Sequence, residues 1–100
     1  MGTFMESRFQ FINLYDLYGE LLTEKQQEYF EDYYFSNLSL AEIAENMEVS
    51  RNAVHNQIKD AEEKLIYYEQ HLHLYERNTK LKEILVNVKE PLRTQMEELL

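Results

Sequence analysis

One hundred residues make one domain, and a chain that is 44% hydrophobic, with eight tyrosines and five phenylalanines, can bury a core without staples. The absence of cysteine excludes a disulfide framework, a thiol nucleophile and a thiolate metal site, while two glycines and one proline leave room for little but helices. The formal charge of -9, from 19 acids against 10 bases, repels phosphate at long range and argues against indiscriminate DNA binding.

No apolar run approaches the roughly 18 to 20 residues that span a bilayer, and no cationic segment leads into an apolar one at the start. A cytoplasmic protein with no membrane insertion is the expectation. Met1-Gly2-Thr3-Phe4, ahead of Met5, reads as a leader without structural weight. From about Glu6 to Leu22 the apolar residues Phe11, Leu14, Tyr15, Tyr18, Leu21 and Leu22 recur at spacings of three and four, which predicts a first amphipathic helix. Thr23 with Gln26 is a capping-box pattern opening a second helix over about Glu24 to Phe35, with Phe30, Tyr33 and Tyr34 inward. Ser36-Asn37 ends it.

Ser39 with Glu42 is another capping box, with Leu38 and Ile43 placed as a hydrophobic staple. Ser50 caps the following helix between Val49 and Val54, and Asn46-Met47-Glu48-Val49 is too short for anything but a turn. Ala44 is small where crossing helices meet, and Val54 and Ile58 are placed against Ile43 and Ala44. This is a helix-turn-helix pattern over Ser39 to about Lys64. Glu48 stands where such a turn often has glycine, so a left-handed backbone there costs about 1 kcal/mol or more.

Val54, Ile58, Ala61, Leu65, Tyr68, Leu72 and Tyr75 then alternate steps of four and three. The pattern predicts one helix from Arg51 to about Tyr75, roughly 37 Å long. Its second half needs a partner for Tyr68, Leu72 and Tyr75, either the first helix or a second chain. Asn78-Thr79 reads as a break, with Thr79 capping a helix that carries Leu81, Ile84, Leu85 and Val88. Pro91 opens a last short helix with Leu92, Met96 and Leu99 on one face. A homodimer is expected, with Tyr68, Leu72, Tyr75, Leu92, Met96 and Leu99 as its interface.

On the helix that Ser50 caps, Arg51, Asn52, His55, Asn56 and Lys59 face away from Val54 and Ile58. Arginine pairs with guanine, asparagine with adenine, and lysine with phosphate. Ser50 to Lys59 carries +2, but Ser36 to Leu65 holds six acids (Glu42, Glu45, Glu48, Asp60, Glu62, Glu63) against three bases. The competing reading keeps the helix-turn-helix as a packing unit, its surface serving protein or structured RNA. His55, His71 and His73 lack the spacing of a helical metal site, since His71 and His73 point in different directions, and read as solvated or interfacial. The tyrosines fall on the apolar stripes and read as core or interface rather than base-stacking platforms. Neither a glycine-rich phosphate loop nor a nucleophile elbow is present, and no enzyme, cofactor or metal is expected.

LTEKQQEYFEDYYFSNLSLAEIAENMEVSRNAVHNQIKDAEEKL (Leu22 to Leu65) resembles the helix-turn-helix shared with sigma-factor region 4. Together with IYYEQHLHLYERNTKLKEIL, to Leu85, it is similar to the YlxM family of small helix-turn-helix proteins from Gram-positive bacteria. The distinctive stretches are LTEKQ, SLAEIAE and YYEQHLHLY. That family is encoded beside the signal recognition particle GTPase and its receptor. The resemblance implies an accessory or regulatory role in that pathway, with the particle's GTPase or RNA as partner; a DNA-binding transcription regulator is the alternative. The fold expected is an all-α, sigma region 4-like bundle of five or six helices in one domain. Its helix-turn-helix core covers about 22–65, and a helical extension covers 66–100.

Overall fold

The computed structural model describes residues 4–100, with side chains described from Arg8 onward. Met1 to Thr3, most of the expected leader, lie outside the described residues. Among the described residues all regular structure is helical: α1 (Phe4–Tyr18) passing into a 3-10 turn (Gly19–Leu21), α2 (Glu24–Tyr34), α3 (Leu40–Met47), α4 (Arg51–Leu72), α5 (Leu74–Leu85) and α6 (Leu92–Glu97). The molecule measures 53 × 27 × 23 Å, with α4 as the spine against which α1, α2 and α3 pack. None of these helices is long and apolar enough to cross a membrane.

The caps read from the sequence are formed. Thr23 Oγ1 accepts from Gln26 N at 3.1 Å, and Gln26 Oε1 accepts from Thr23 N at 3.2 Å. Ser39 Oγ accepts from Glu42 N at 3.1 Å, with Glu42 Oε1 accepting from Ser39 N at 2.9 Å. Each pair satisfies amides that a helix start leaves without partners. The core they frame joins Leu14 and Tyr18 of α1, Tyr29, Phe30 and Tyr34 of α2, Ile43 and Ala44 of α3, and Val54, Ile58, Ala61 and Leu65 of α4. Tyr15 stacks on Phe30 at 4.4 Å between ring centroids, and Phe30 on Tyr34 at 4.3 Å. Tyr33, expected inward, is only half-buried and meets Tyr34 edge-on, whereas Tyr29 is buried. Arg8 Nη2 donates to the carbonyls of Tyr33 and Tyr34 at 3.0 and 2.9 Å, neutralising the negative end of α2 while its guanidinium lies over the Tyr34 ring.

The first helix turns earlier than its apolar period suggests. Gly19 is buried under the Tyr15 ring, which a Cβ would meet at 2.9 Å, and the chain passes through a 3-10 turn there before Leu22 goes extended.

The long helix also differs from expectation. The apolar period predicts continuity to Tyr75, yet α4 stops at Leu72, and α5 starts one residue later. His73 between them is left-handed, at φ 55° and ψ 30°. The first amides of α5 are satisfied from elsewhere in the fold. The Glu69 carboxylate accepts from Tyr75 N at 3.0 Å and Glu76 N at 3.1 Å. The Tyr18 hydroxyl accepts from Leu74 N at 3.1 Å and donates to Glu69 at 2.6 Å. The expected break at Asn78-Thr79 is instead the middle of α5, and Val88 falls beyond its end. Pro91 does precede a short terminal helix.

Candidate nucleic-acid interface

The helix-turn-helix is built by two neighbouring local structures. After Met47 the chain takes a left-handed step at Glu48, φ 56°. Glu48 N then donates to Glu45 O at 3.3 Å and Val49 N to Ala44 O at 3.1 Å. This is the Schellman arrangement, which closes the carbonyl end of α3 without glycine. Ser50 then turns the chain into α4, its Oγ accepting from Ala53 N at 3.0 Å. Ile43 and Val54 are fully buried where α3 and α4 cross.

The arrangement fixes what α4 offers to solvent. Arg51, Asn52, His55, Asn56 and Lys59 are all exposed. At 100° per residue they fill an arc of about 140°, outside the stripe of Val54, Ile58, Ala61 and Leu65. None of these side chains has a hydrogen bond or ion pair to another described residue, so the five are free to meet a ligand. The first turn of α4 holds no acid, which leaves its positive end open to a phosphate.

Acids bound this surface. Glu42, Glu45 and Glu48 are exposed on α3 and its turn, and Glu63 continues the same arc of α4 one turn past Lys59. The Glu42 carboxyl is held below its ordinary value by hydrogen bonds with the Ser39 backbone and hydroxyl, so it carries full negative charge at neutral pH. The usable face is therefore short: three turns of α4, cationic at Arg51 and Lys59 and amide-rich between.

The three histidines are scattered. His55 stands on this face, His71 Nδ1 donates to the Tyr67 carbonyl at 2.8 Å, and His73 meets Glu76 at 3.3 Å across one turn of α5. Among the described residues no three His, Asp or Glu side chains gather into a metal-holding group.

The candidate dimer residues separate into two sets. Tyr68 and Tyr75 are half-buried on α1, the first of their two possible partners: Tyr68 lies beside the Tyr18 ring at 6.0 Å, and Asn13 donates to the Tyr75 hydroxyl at 3.4 Å. Leu72, Leu92 and Leu99 are exposed. Met96 joins Leu81, Leu85, Leu99, Leu100 and Arg77 around a cavity of about 270 Å³ between α5 and α6.

Sequence reasoning missed three tyrosine–glutamate pairs that tie helices together. Tyr15 donates to Glu31, Tyr18 to Glu69, and Tyr34 to Glu62. In each, burial first and the neighbouring carboxylate second push the phenol above its ordinary value, so it stays a donor at neutral pH. Helix-face spacing alone could have suggested that these hydroxyls emerge beside acids, but not which acid each would meet.

A family described as "Putative helix-turn-helix protein, YlxM / p13 like" matches residues 5–100. A UPF0122 protein of Caldanaerobacter subterraneus subsp. tengcongensis is 42% identical over 87 residues, covering 86% of this chain and 74% of that protein. One from Clostridium kluyveri is 47% identical over 79 residues, covering 79% and 71%. One from Ureaplasma urealyticum serovar 10 is 48% identical over 73 residues, covering 73% and 74%. With two capped helices crossing at Ile43 and Val54 and a match along nearly its whole length, the chain belongs to the YlxM/p13-like family of helix-turn-helix proteins.

Proposed function

We propose that this is a non-enzymatic, cytoplasmic accessory protein of the signal recognition particle pathway that binds the particle's RNA through the first three turns of α4. The particle's GTPase is the further component in reach of its acidic faces. The observation that carries the reading is the set of five exposed side chains, Arg51, Asn52, His55, Asn56 and Lys59, without partners among the described residues. Lysine and arginine serve phosphate, and the two asparagines serve base edges that an RNA loop or bulge leaves open. Structured RNA suits the face better than duplex DNA. A duplex lying along α4 would extend past Lys59 toward Glu63 and past the turn toward Glu42, Glu45 and Glu48, where like charges repel it. A folded RNA can present one bulge to a face this short.

A sequence-specific DNA regulator is the second reading, favoured by one observation: Arg51, Asn52 and Asn56 are the residue types that read guanine and adenine, at the start of the helix that would enter a groove. A paired titration at about physiological salt separates the two. One arm uses the particle RNA with and without its GTPase, and the other selects from a random duplex-DNA pool. Saturable RNA or GTPase binding that weakens at least tenfold in Arg51→Ala, with no enriched DNA site, is the expected result. An enriched DNA motif lost in Asn52→Ala or Asn56→Ala would replace it with the regulator.

A further inference from the structure

We propose that the His73 elbow is a hinge that opens into a continuous α4–α5 helix, and that α5, carrying α6 with it, then docks on α1 of a second copy of this chain. The inference is independent of what α4 binds. It begins from hydrogen bonds that have two solutions. In the folded chain, Leu74 N donates to the Tyr18 hydroxyl, and Tyr75 N and Glu76 N donate to the Glu69 carboxylate. In a straight helix the same three amides would donate to the carbonyls of Gln70, His71 and Leu72, four residues back. Neither state leaves an amide unpaired, so opening costs no backbone hydrogen bond.

The conformational terms favour the open state. His73 is the one residue between two helices, and it holds a left-handed backbone that costs any residue with a Cβ. The apolar steps of four and three run through the elbow without interruption, from Val54 to Tyr75. Straightening would produce one helix of about 52 Å from Arg51 to Leu85. It would also carry Tyr75 away from Asn13 and uncover α1. The surface then exposed on α1 is complementary to α5 of an identical chain, because the contacts exchanged are those already made within one chain. Leu72, Ile66 and Tyr67 are exposed beside the elbow and supply apolar area where two opened chains would run together. A second copy is therefore the occupant the geometry selects.

The His73 side chain is largely exposed, so two substitutions there change the backbone preference in opposite directions with the same loss of contact to Glu76. His73→Gly relaxes the bent state and penalises the helix; His73→Ala does the reverse. Full-length protein is denatured and refolded at micromolar and at millimolar concentration, and its mass is read by light scattering. Dimer that appears at high concentration, rises on the order of tenfold in His73→Ala and falls by a similar factor in His73→Gly is the expected result. The exchanged contact is read by co-refolding Asn13→Cys with Thr79→Cys, two positions lining one cavity between α1 and α5, in a chain that otherwise has no thiol. A short dithiol-reactive linker should join the two chains in the dimer. Monomer under every condition, a dimer population equal in the two His73 variants, or a dimer with no link between positions 13 and 79 would each overturn the proposal. If His73→Ala does not fold, wild type against His73→Gly repeats the comparison.

Discussion

Glu48 holds a backbone conformation that its side chain disfavours, at φ 56°, in order to turn α3 into α4 within three residues. Glycine carries no Cβ to clash there. Glu48→Gly should therefore stabilise the chain by about 1 kcal/mol, raising the thermal midpoint by about 4–8 °C in a calorimetric scan. The substitution also removes an acid beside the exposed face of α4. The cost at Glu48 was legible in the sequence because it depends only on the turn. Gly19 was not: its lack of a side chain matters because Tyr15 is pinned over Phe30, a contact between two helices that no local pattern encodes.

Among the elements, the elements that cap themselves were readable and the one capped from a distance was not. Thr23, Ser39 and Ser50 each sit next to the helix they start, with the acceptor three residues from its amide. The start of α5 is held by Glu69 in the last turn of α4 and by Tyr18, 56 residues from Leu74. The sequence there shows neither Ser, Thr, Asp nor Gly, only an unbroken apolar period. The carboxylate makes the elbow sensitive to acid. Burial pushes Glu69 upward, but hydrogen bonds from the Tyr18 hydroxyl and the amides of Tyr75 and Glu76 outweigh it, with His73 adding to them, and hold it below its ordinary 4.5. Because the folded value lies below the unfolded one, this contribution is complete above pH 4.5 and is lost as pH falls through the lowered value. Amide exchange at Tyr75 and Glu76 should accelerate in that acid range before the core amides do. In Glu69→Gln, where no carboxylate titrates, that acid step should disappear.

For the whole molecule, net charge limits how nucleic acid can be held. The face on α4 brings only Arg51 and Lys59 to phosphate, in a chain of charge -9. Binding should then show a log K against log salt slope of at most about -1.8 on duplex and about -1.4 on single strands. Titrations at several salt concentrations check this, and a much steeper slope would point to a second cationic surface. The mismatch between a helix-turn-helix and an acidic surface was visible from composition alone, and apolar spacing gave the core of α3 and α4; in α2 it placed Tyr33 inward where Tyr29 is the buried residue. How the C-terminal half packs was less legible. Tyr68 and Tyr75 carry the same spacing whether they meet α1 or another chain, and only the fold distinguishes those surfaces.

The bridge from Tyr18 through Glu69 to Leu74 also orders events in time. Its ends lie 51 to 56 residues apart in the chain, so a large loop must close before it forms. The crossing of α3 and α4, where Ile43 and Val54 are buried, joins neighbouring stretches of the chain and has no such loop to wait for. As the chain condenses, the helix-turn-helix should be assembled while α1 is still searching for α5. Removing the bridge in Tyr18→Phe should then hasten unfolding and leave the refolding rate almost unchanged in stopped-flow traces. The surface proposed to meet RNA would be shaped first, and the clasp would be the last part to close and the first to open.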